Sequence, residues 1–230
     1  MKTLGLIPAK GGSKRLHRKN ILNLGGKPLL GWAIHSALES RVIDKVVVST
    51  DDNEIAKVAT KYGADVPFMR PKELSIDPAG VVDVGLHAIN QLDSNLTEFD
   101  KIVILLPTCP FRTAGDIKNA FDLFTKMKGK FLMSVSEYSH TPFSAMGISS
   151  NNYLTPYFEQ YIGKKSQELP ISYRANGAIH ILDVKSFVKY KSYYKKPLIG
   201  FPMPFLRSID IDTKDDLLFA DFILKQGLKR

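Results

Sequence analysis

Five basic side chains crowd one short stretch near the amino terminus, Lys10-Gly11-Gly12-Ser13-Lys14-Arg15-Leu16-His17-Arg18-Lys19-Asn20. Adjacent glycines let backbone N–H groups close around an anion, and the lysines and arginines supply charge to hold a triphosphate. The spacing is neither Gly-x-x-x-x-Gly-Lys-Ser/Thr nor Gly-x-Gly-x-x-Gly, so P-loop and dinucleotide-binding chemistry both lose their main support. A glycine turn with scattered solvated lysines is the plainer alternative. Far along the chain, Ser208-Ile209-Asp210-Ile211-Asp212-Thr213 sets two carboxylates two residues apart, on one face of a strand. Such a pair suits Mg²⁺, which takes carboxylate oxygens together with water and phosphate oxygens. The competing reading has Asp212 or Thr213 capping a final helix.

Three further segments bring polar groups to the ends of apolar runs. Arg70 emerges between Pro67 and Pro71 and suits a phosphate or a base edge, unless it is an ordinary surface arginine. Pro107-Thr108-Cys109-Pro110-Phe111-Arg112 follows a strand-like run. Cys109 has no base nearby in sequence and reads as a small buried residue. Tyr173-Arg174-Ala175-Asn176-Gly177 reads as a tight turn into a strand that can carry Arg174 or Asn176 to a crevice. The histidines, His17, His35, His87, His140 and His180, show no metal-ligand spacing, and no Gly-x-Ser-x-Gly elbow supports serine hydrolysis.

These groups need a scaffold, and composition bounds what it can be. The chain has 230 residues, 44% hydrophobic and 24% charged, enough for one large α/β domain with a full core. Lysines and arginines number 32 against 23 acids, a net charge of +9, which calls for an acidic partner: nucleic acid, an anionic surface or a small polyanion. Cys109 is the single cysteine, so an intrachain disulfide is excluded and a cytoplasmic setting is the expectation. The apolar start is too short for a signal peptide or a span, and no membrane partner is expected.

Strand-length apolar runs at 3–8, 45–50, 66–69, 101–106 and 131–136 alternate with helical periodicity at 28–40, 53–62, 79–92 and 114–127. That rhythm predicts βαβ units: an α/β, mononucleotide-binding, Rossmann-like sheet, mostly parallel, with helices on both faces. Ligands of such sheets sit outside the carboxyl ends of the strands, here loops 9–20, 50–53, 70–80 and 107–113. From about 138 to 175 the rhythm gives way to aromatics and prolines, an excursion that is loop-rich or antiparallel and suited to burial against a second copy. A strand at 178–183, a short helix at 184–190, an edge strand near 197–201 and a helix from about 213 to 227 complete a single domain over 1–230.

Together these segments resemble the CMP-acylneuraminate synthetases, the cytidylyltransferases that activate sialic acids and related nonulosonic acids. The likeness rests on Ile7-Pro8-Ala9-Lys10-Gly11-Gly12-Ser13-Lys14-Arg15 with Lys19-Asn20, Val48-Ser49-Thr50-Asp51-Asp52, Met69-Arg70-Pro71, Pro107-Thr108 with Pro110-Phe111-Arg112, Asn176-Gly177-Ala178-Ile179, and Ser208 to Thr213. It implies attack of a sugar anomeric hydroxyl on the α-phosphate of CTP, with release of pyrophosphate, by a homodimer whose excursion reaches the neighbouring site. By that likeness Lys10, Gly11, Gly12, Ser13, Lys14, Lys19 and Asn20 hold the triphosphate, Arg70 and Asp77 place the cytidine, and Asp210 and Asp212 bind Mg²⁺. Lys19 and Asp212 are then the catalytic pair. Thr108, Arg112, Lys165, Arg174 and Asn176 fall on the sugar side.

Departures from the family pattern concentrate on that sugar side. Lys10 stands where the family commonly has arginine, Leu106 where many sialate enzymes have glutamine, and Ser166 near the position at which the family has an arginine for the sugar carboxylate, with Lys164 and Lys165 as substitutes. They point to a legionaminic or pseudaminic type of acid rather than N-acetylneuraminate. Two rivals remain: a sugar-nucleotide pyrophosphorylase acting on a hexose phosphate, and, ranked below catalysis, a nucleic-acid-binding module using Tyr190-Lys191-Ser192-Tyr193-Tyr194-Lys195-Lys196.

Overall fold

The computed structural model describes residues 2–227. Strand β1 (Lys2–Pro8) leads through the basic loop to a 3-10 turn at Lys19–Ile21, a small ribbon of β2 (Asn23–Leu24) and β3 (Lys27–Pro28), and helix α1 (Leu29–Glu39). Then come β4 (Lys45–Ser49), α2 (Asn53–Lys61), α3 (Val81–Leu92), β5 (Phe99–Ile104), α4 (Ala114–Lys126) and β6 (Phe131–Glu137). A second ribbon, β7 (Met146–Ile148) with β8 (Leu154–Pro156), precedes β9 (Tyr173–Asp183), α5 (Val184–Tyr190), β10 (Leu198–Pro202) and α6 (Lys214–Lys225).

The central sheet runs β10-β6-β9-β5-β1-β4, with β9 antiparallel to both neighbours and the remaining pairs parallel. Both faces are covered, as the unbroken apolar strands require. Ala33, Ile34 and Ala37 of α1, Ile55 and Ala59 of α2, and Ile117, Ala120 and Phe124 of α4 bury one face. Val84, Ala88 and Ile89 of α3 and Phe187 of α5 bury the other. Among the described residues no helix is long and apolar enough to cross a membrane.

Three segments differ from the sequence reading. Residues 66–69 are not a strand: Asp65 makes a single bridge to Val47, and Pro67 and Pro71, lacking N–H donors, cannot continue a ladder. Asn176-Gly177 is not a hairpin turn but lies inside the eleven-residue β9, where Gly177 takes φ +70° as the pairing with β6 shifts register. Residues 209–212 form no strand either; the chain runs from a 3-10 turn at Phe205–Ser208 to Thr213, which caps α6 by accepting from Asp216 N. Between β6 and β9 the chain is loop-rich with one antiparallel ribbon: 3-10 turns, the β7–β8 pair, and a small cluster in which Phe143 meets Phe158 and Tyr161 at 5.3 and 4.7 Å.

Candidate active site

A cleft of about 460 Å³ opens at the carboxyl edge, between the loops that follow β1 and β5 and the segment that precedes α6. The loop after β1 lines one side of it and is tied down through Gly11. Gly11 N–H donates to Asp51 Oδ1 at 2.9 Å. A Cβ at Gly11 would come within 2.9 Å of the Asp52 side chain, so a larger residue there would have to displace Asp52, whereas Gly12 faces open space. Asp52 is held in place as the cap of α2, accepting from Glu54 N and Ile55 N. Arg18, in the left-handed region at φ 52°, turns away from the cleft to Asp52 and to Glu54, the latter at 2.7 Å. Asn20 is buried and clips the loop shut by donating to Lys10 O at 2.8 Å. Lys10, Ser13, Lys14, Arg15, Lys19 and Asn20 line the cavity.

Opposite stand the carboxylates. Lys19 Nζ meets Asp212 Oδ1 and Arg15 meets Asp212 Oδ2, each at 2.7 Å, so one carboxylate is clasped by two cations of the basic loop. Asp210 lies deeper. Burial pushes its carboxyl above the usual range, the negative charge of Asp212 adds to that push, and Lys19 opposes it. Behind it Cys109 is fully buried, its thiol pushed up to about 12 chiefly by desolvation, so it is no nucleophile. Asp210 and Asp212 can serve as two hard oxygen donors for a divalent cation. Among the described residues no cluster of three or more His, Cys, Asp or Glu exists, so the remaining ligands would be water and substrate oxygens, the mode Mg²⁺ favours.

The third wall carries Arg70, Leu74, Asp77 and Val81. Arg70 is anchored by its own N–H to Thr50 O at 2.7 Å and lies 3.6 Å from Asp51, yet its buried Nε and Nη2 have no hydrogen-bond partner. Burial lowers its pKa while Asp51 supports the charge. A buried guanidinium with idle donors at a cavity wall is a ready receptor for an acceptor atom on a ligand. Across the mouth Lys14 and Asp77 pair at 2.8 Å, their hydrogen bond raising the lysine pKa and lowering the aspartate's.

The sugar-side assignments divide. Thr108 lines the cleft. Arg112 does not reach it: the side chain is fully buried, donating to Leu106 O at 3.1 Å and Ala178 O at 2.7 Å, and so braces the loop from beneath. Asn176 is also buried, bonded to Ser134 and Ser208. Arg174 on β9 and Lys165 in the excursion are exposed and outside the cavity lining. Arg15, Asp51 and the Ser134–Ser208 pair were not assigned roles from sequence. Arg15 is legible in the basic cluster and Ser208 in the carboxylate segment, whereas nothing local marks Ser134.

A mixed sheet with a phosphate-sized basic loop and a carboxylate pair at its carboxyl edge defines a nucleotide-handling α/β protein. The family profile described as Cytidylyltransferase matches residues 4–140. The chain is 37% identical over 225 residues to the pseudaminic acid cytidylyltransferase of Campylobacter jejuni, covering 98% of this chain and 97% of that one. It is 36% identical over 227 residues to the CMP-N,N'-diacetyllegionaminic acid synthase of Legionella pneumophila, with the same coverage. It is 32% identical over 220 residues to the N-acylneuraminate cytidylyltransferase of Escherichia coli, spanning 95% of this chain and 51% of that longer one. In fold it is similar to a CMP:2-keto-3-deoxy-manno-octonic acid synthetase solved with CTP, at TM-score 0.75 and 16% identity over 99% of this chain and 100% of that one. The chain belongs to the cytidylyltransferase family.

Proposed function

We propose that the protein transfers CMP from CTP to a nonulosonic acid of the pseudaminic or legionaminic type and releases pyrophosphate. The observation that carries the reading is the Lys19–Asp212 pair at 2.7 Å, which joins an anion-binding loop to a carboxylate at the edge where the sheet binds ligands. Two full-length relatives carrying pseudaminic and legionaminic names support the acid, as do Leu106 and Ser166. Lys10, Lys14, Arg15 and Lys19 hold the triphosphate, with the backbone of Gly12 and the Ser13 hydroxyl at its edge, the Gly11 N–H being already bound to Asp51. Arg70 offers its idle donors to the cytidine, and Asp77 closes the same wall.

The anomeric oxygen attacks the α-phosphorus, the bond to the bridging oxygen breaks, and the electron pair leaves with pyrophosphate. Lys19 and its neighbours oppose the charge that develops on the leaving group. Asp212 accepts the proton of the attacking hydroxyl. A divalent cation, which we take to be Mg²⁺, would be held by Asp210 and Asp212 and would supply Lewis-acid stabilisation of the phosphate oxygens. Thr108 stands at the sugar end of the cleft.

We take the active form to be a homodimer. The excursion exposes Ile148, Tyr153, Leu154, Tyr157 and Ile171, an apolar display that a second copy of the chain would cover. Lys165 and Arg174, out of reach of their own cleft, would then serve the partner's. The reaction suits a reducing cytoplasm, with one buried cysteine and no disulfide. Pyrophosphate release with CTP and a panel of nonulosonic acids and hexose 1-phosphates tests the whole. Turnover of pseudaminic or legionaminic acid is expected. Release with a hexose 1-phosphate and with none of the acids would replace this reading by that of a hexose-phosphate pyrophosphorylase.

A further inference from the structure

The catalytic reading uses the charge of the basic loop and leaves a second concentration of lysine at the opposite edge of the sheet. Segments 126–131 and 183–197 together carry eight lysines, no arginine and one carboxylate, Asp183, a surplus of seven within a chain of net +9. The fold gathers them. Lys126, Lys128 and Lys130 end α4 and enter β6; Lys130 O accepts from Asp183 N at 3.0 Å, and its ammonium lies 3.4 Å from the Asp183 carboxylate. Leu198 pairs with Phe131, so the lysines before β10 lie beside those before β6. Phe131 also meets the ring of Tyr190, which closes α5. All eight lysines are exposed; Lys126, Lys128 and Lys130 lead into the amino end of β6, Lys195 and Lys196 into that of β10, and Lys185, Lys189 and Lys191 lie on or just after α5, whereas the cleft is at the carboxyl edge.

We propose that this lysine face docks the protein onto an anionic lipid surface, with the active-site cleft facing away from it. The side chains favour lipid over nucleic acid. Tyr190 already carries the ammonium groups of Lys189 and Lys195 at 5.3 and 5.0 Å from its centroid. Tyr193 is held between His180 and Tyr194, each at 4.9 Å, so these rings are engaged rather than free as platforms for bases. The patch is made of lysines, whose apolar stems lie along a surface while their heads remain wet. Met127 and Tyr194, exposed by 57% and 61%, add the amphipathic groups that settle at a lipid interface. A peripheral contact needs no spanning helix.

The test is co-sedimentation of the full chain with phosphatidylcholine vesicles, with and without phosphatidylglycerol, at low and high salt. Binding is expected to require phosphatidylglycerol and to be lost in high salt. At about fivefold per lysine, the triple variant Lys126→Ala/Lys189→Ala/Lys195→Ala should bind about a hundredfold more weakly. CTP turnover should be unchanged, because none of the three lines the cleft. Replacing the same three by arginine should preserve binding, and Tyr194→Ala should weaken it without altering its salt dependence. No binding of the parent chain to phosphatidylglycerol vesicles at low salt would overturn the proposal. So would equal binding by the triple alanine variant, or tighter binding to a single-stranded oligonucleotide that the triple variant loses. None of these outcomes bears on the cleft chemistry, which the pyrophosphate assay tests separately.

Discussion

Asn176→Ala asks how the carboxylate segment is held. Asn176 is 5% exposed and makes three hydrogen bonds. Its Oδ1 accepts from Ser134 Oγ at 2.5 Å and from Ala178 N at 3.1 Å, and its Nδ2 donates to Ser208 Oγ at 2.9 Å. Ser208 in turn donates to Pro204 O, which fixes the turn from which Ile209 and Asp210 depart. Removing the amide lets Ser134 turn towards Ile179 O at 3.2 Å, a partial replacement, but strips Ala178 N of that acceptor. At about 1 kcal/mol for each of two exchanged bonds and about 1–3 for an orphaned buried donor, the loss is about 3–5 kcal/mol. In a domain of this size each kcal/mol shifts Tm by about 2–4 °C, so calorimetry should record a fall of about 6–20 °C. Because Asn176 does not line the cleft, its effect on catalysis runs through Asp210: half-saturation by the divalent cation should rise while half-saturation by CTP changes little. A Tm within about 2 °C of the parent together with unchanged metal dependence would refute this chain of support.

Asp212→Asn should lower turnover by at least about a hundredfold, the usual worth of a positioned proton acceptor, with circular dichroism unchanged. Near-normal turnover at saturating metal would remove Asp212 from the chemistry. Lys19→Ala should raise the half-saturating concentration of CTP at least tenfold, about 1.4 kcal/mol or more, measured by pyrophosphate release. For Asp210 the raised pKa fixes a sign: the folded chain holds that proton more tightly than the unfolded one, so its ionisation costs stability as pH rises from about 3.8 through the raised value. Asp210→Asn should therefore melt higher than the parent at neutral pH, with the difference closing below that range, while losing metal-dependent activity.

The helices were legible because their signals are local. Val81–Leu92 and Ala114–Lys126 carry helical apolar spacing, and Thr113 and Thr213 open α4 and α6 with Asp116 and Asp216 three residues on, the pattern of reciprocal capping. Residues 66–69 form no strand, because an apolar run that contains Pro67 and ends before Pro71 looks extended in sequence without revealing that it cannot pair. Asn176-Gly177 has the composition of a hairpin turn, but β9 is fixed by two neighbouring strands, and the glycine serves a bulge inside it.

The basic loop belongs to the first kind of information. Paired glycines, five cations within ten residues and a preceding strand describe an anion site in the sequence itself, because backbone freedom and charge density are properties of a short segment. What that loop faces belongs to the second. Lys19 and Asp212 are 193 residues apart, and only the sheet order and the capped α6 bring them to 2.7 Å. Burial is equally non-local. Arg112 and Arg15 are both arginines in polar-looking loops, yet packing seals one beneath the cleft and leaves the other open at its mouth. The solvent an ionisable group loses is set by everything packed around it, and no stretch of neighbouring sequence contains that sum.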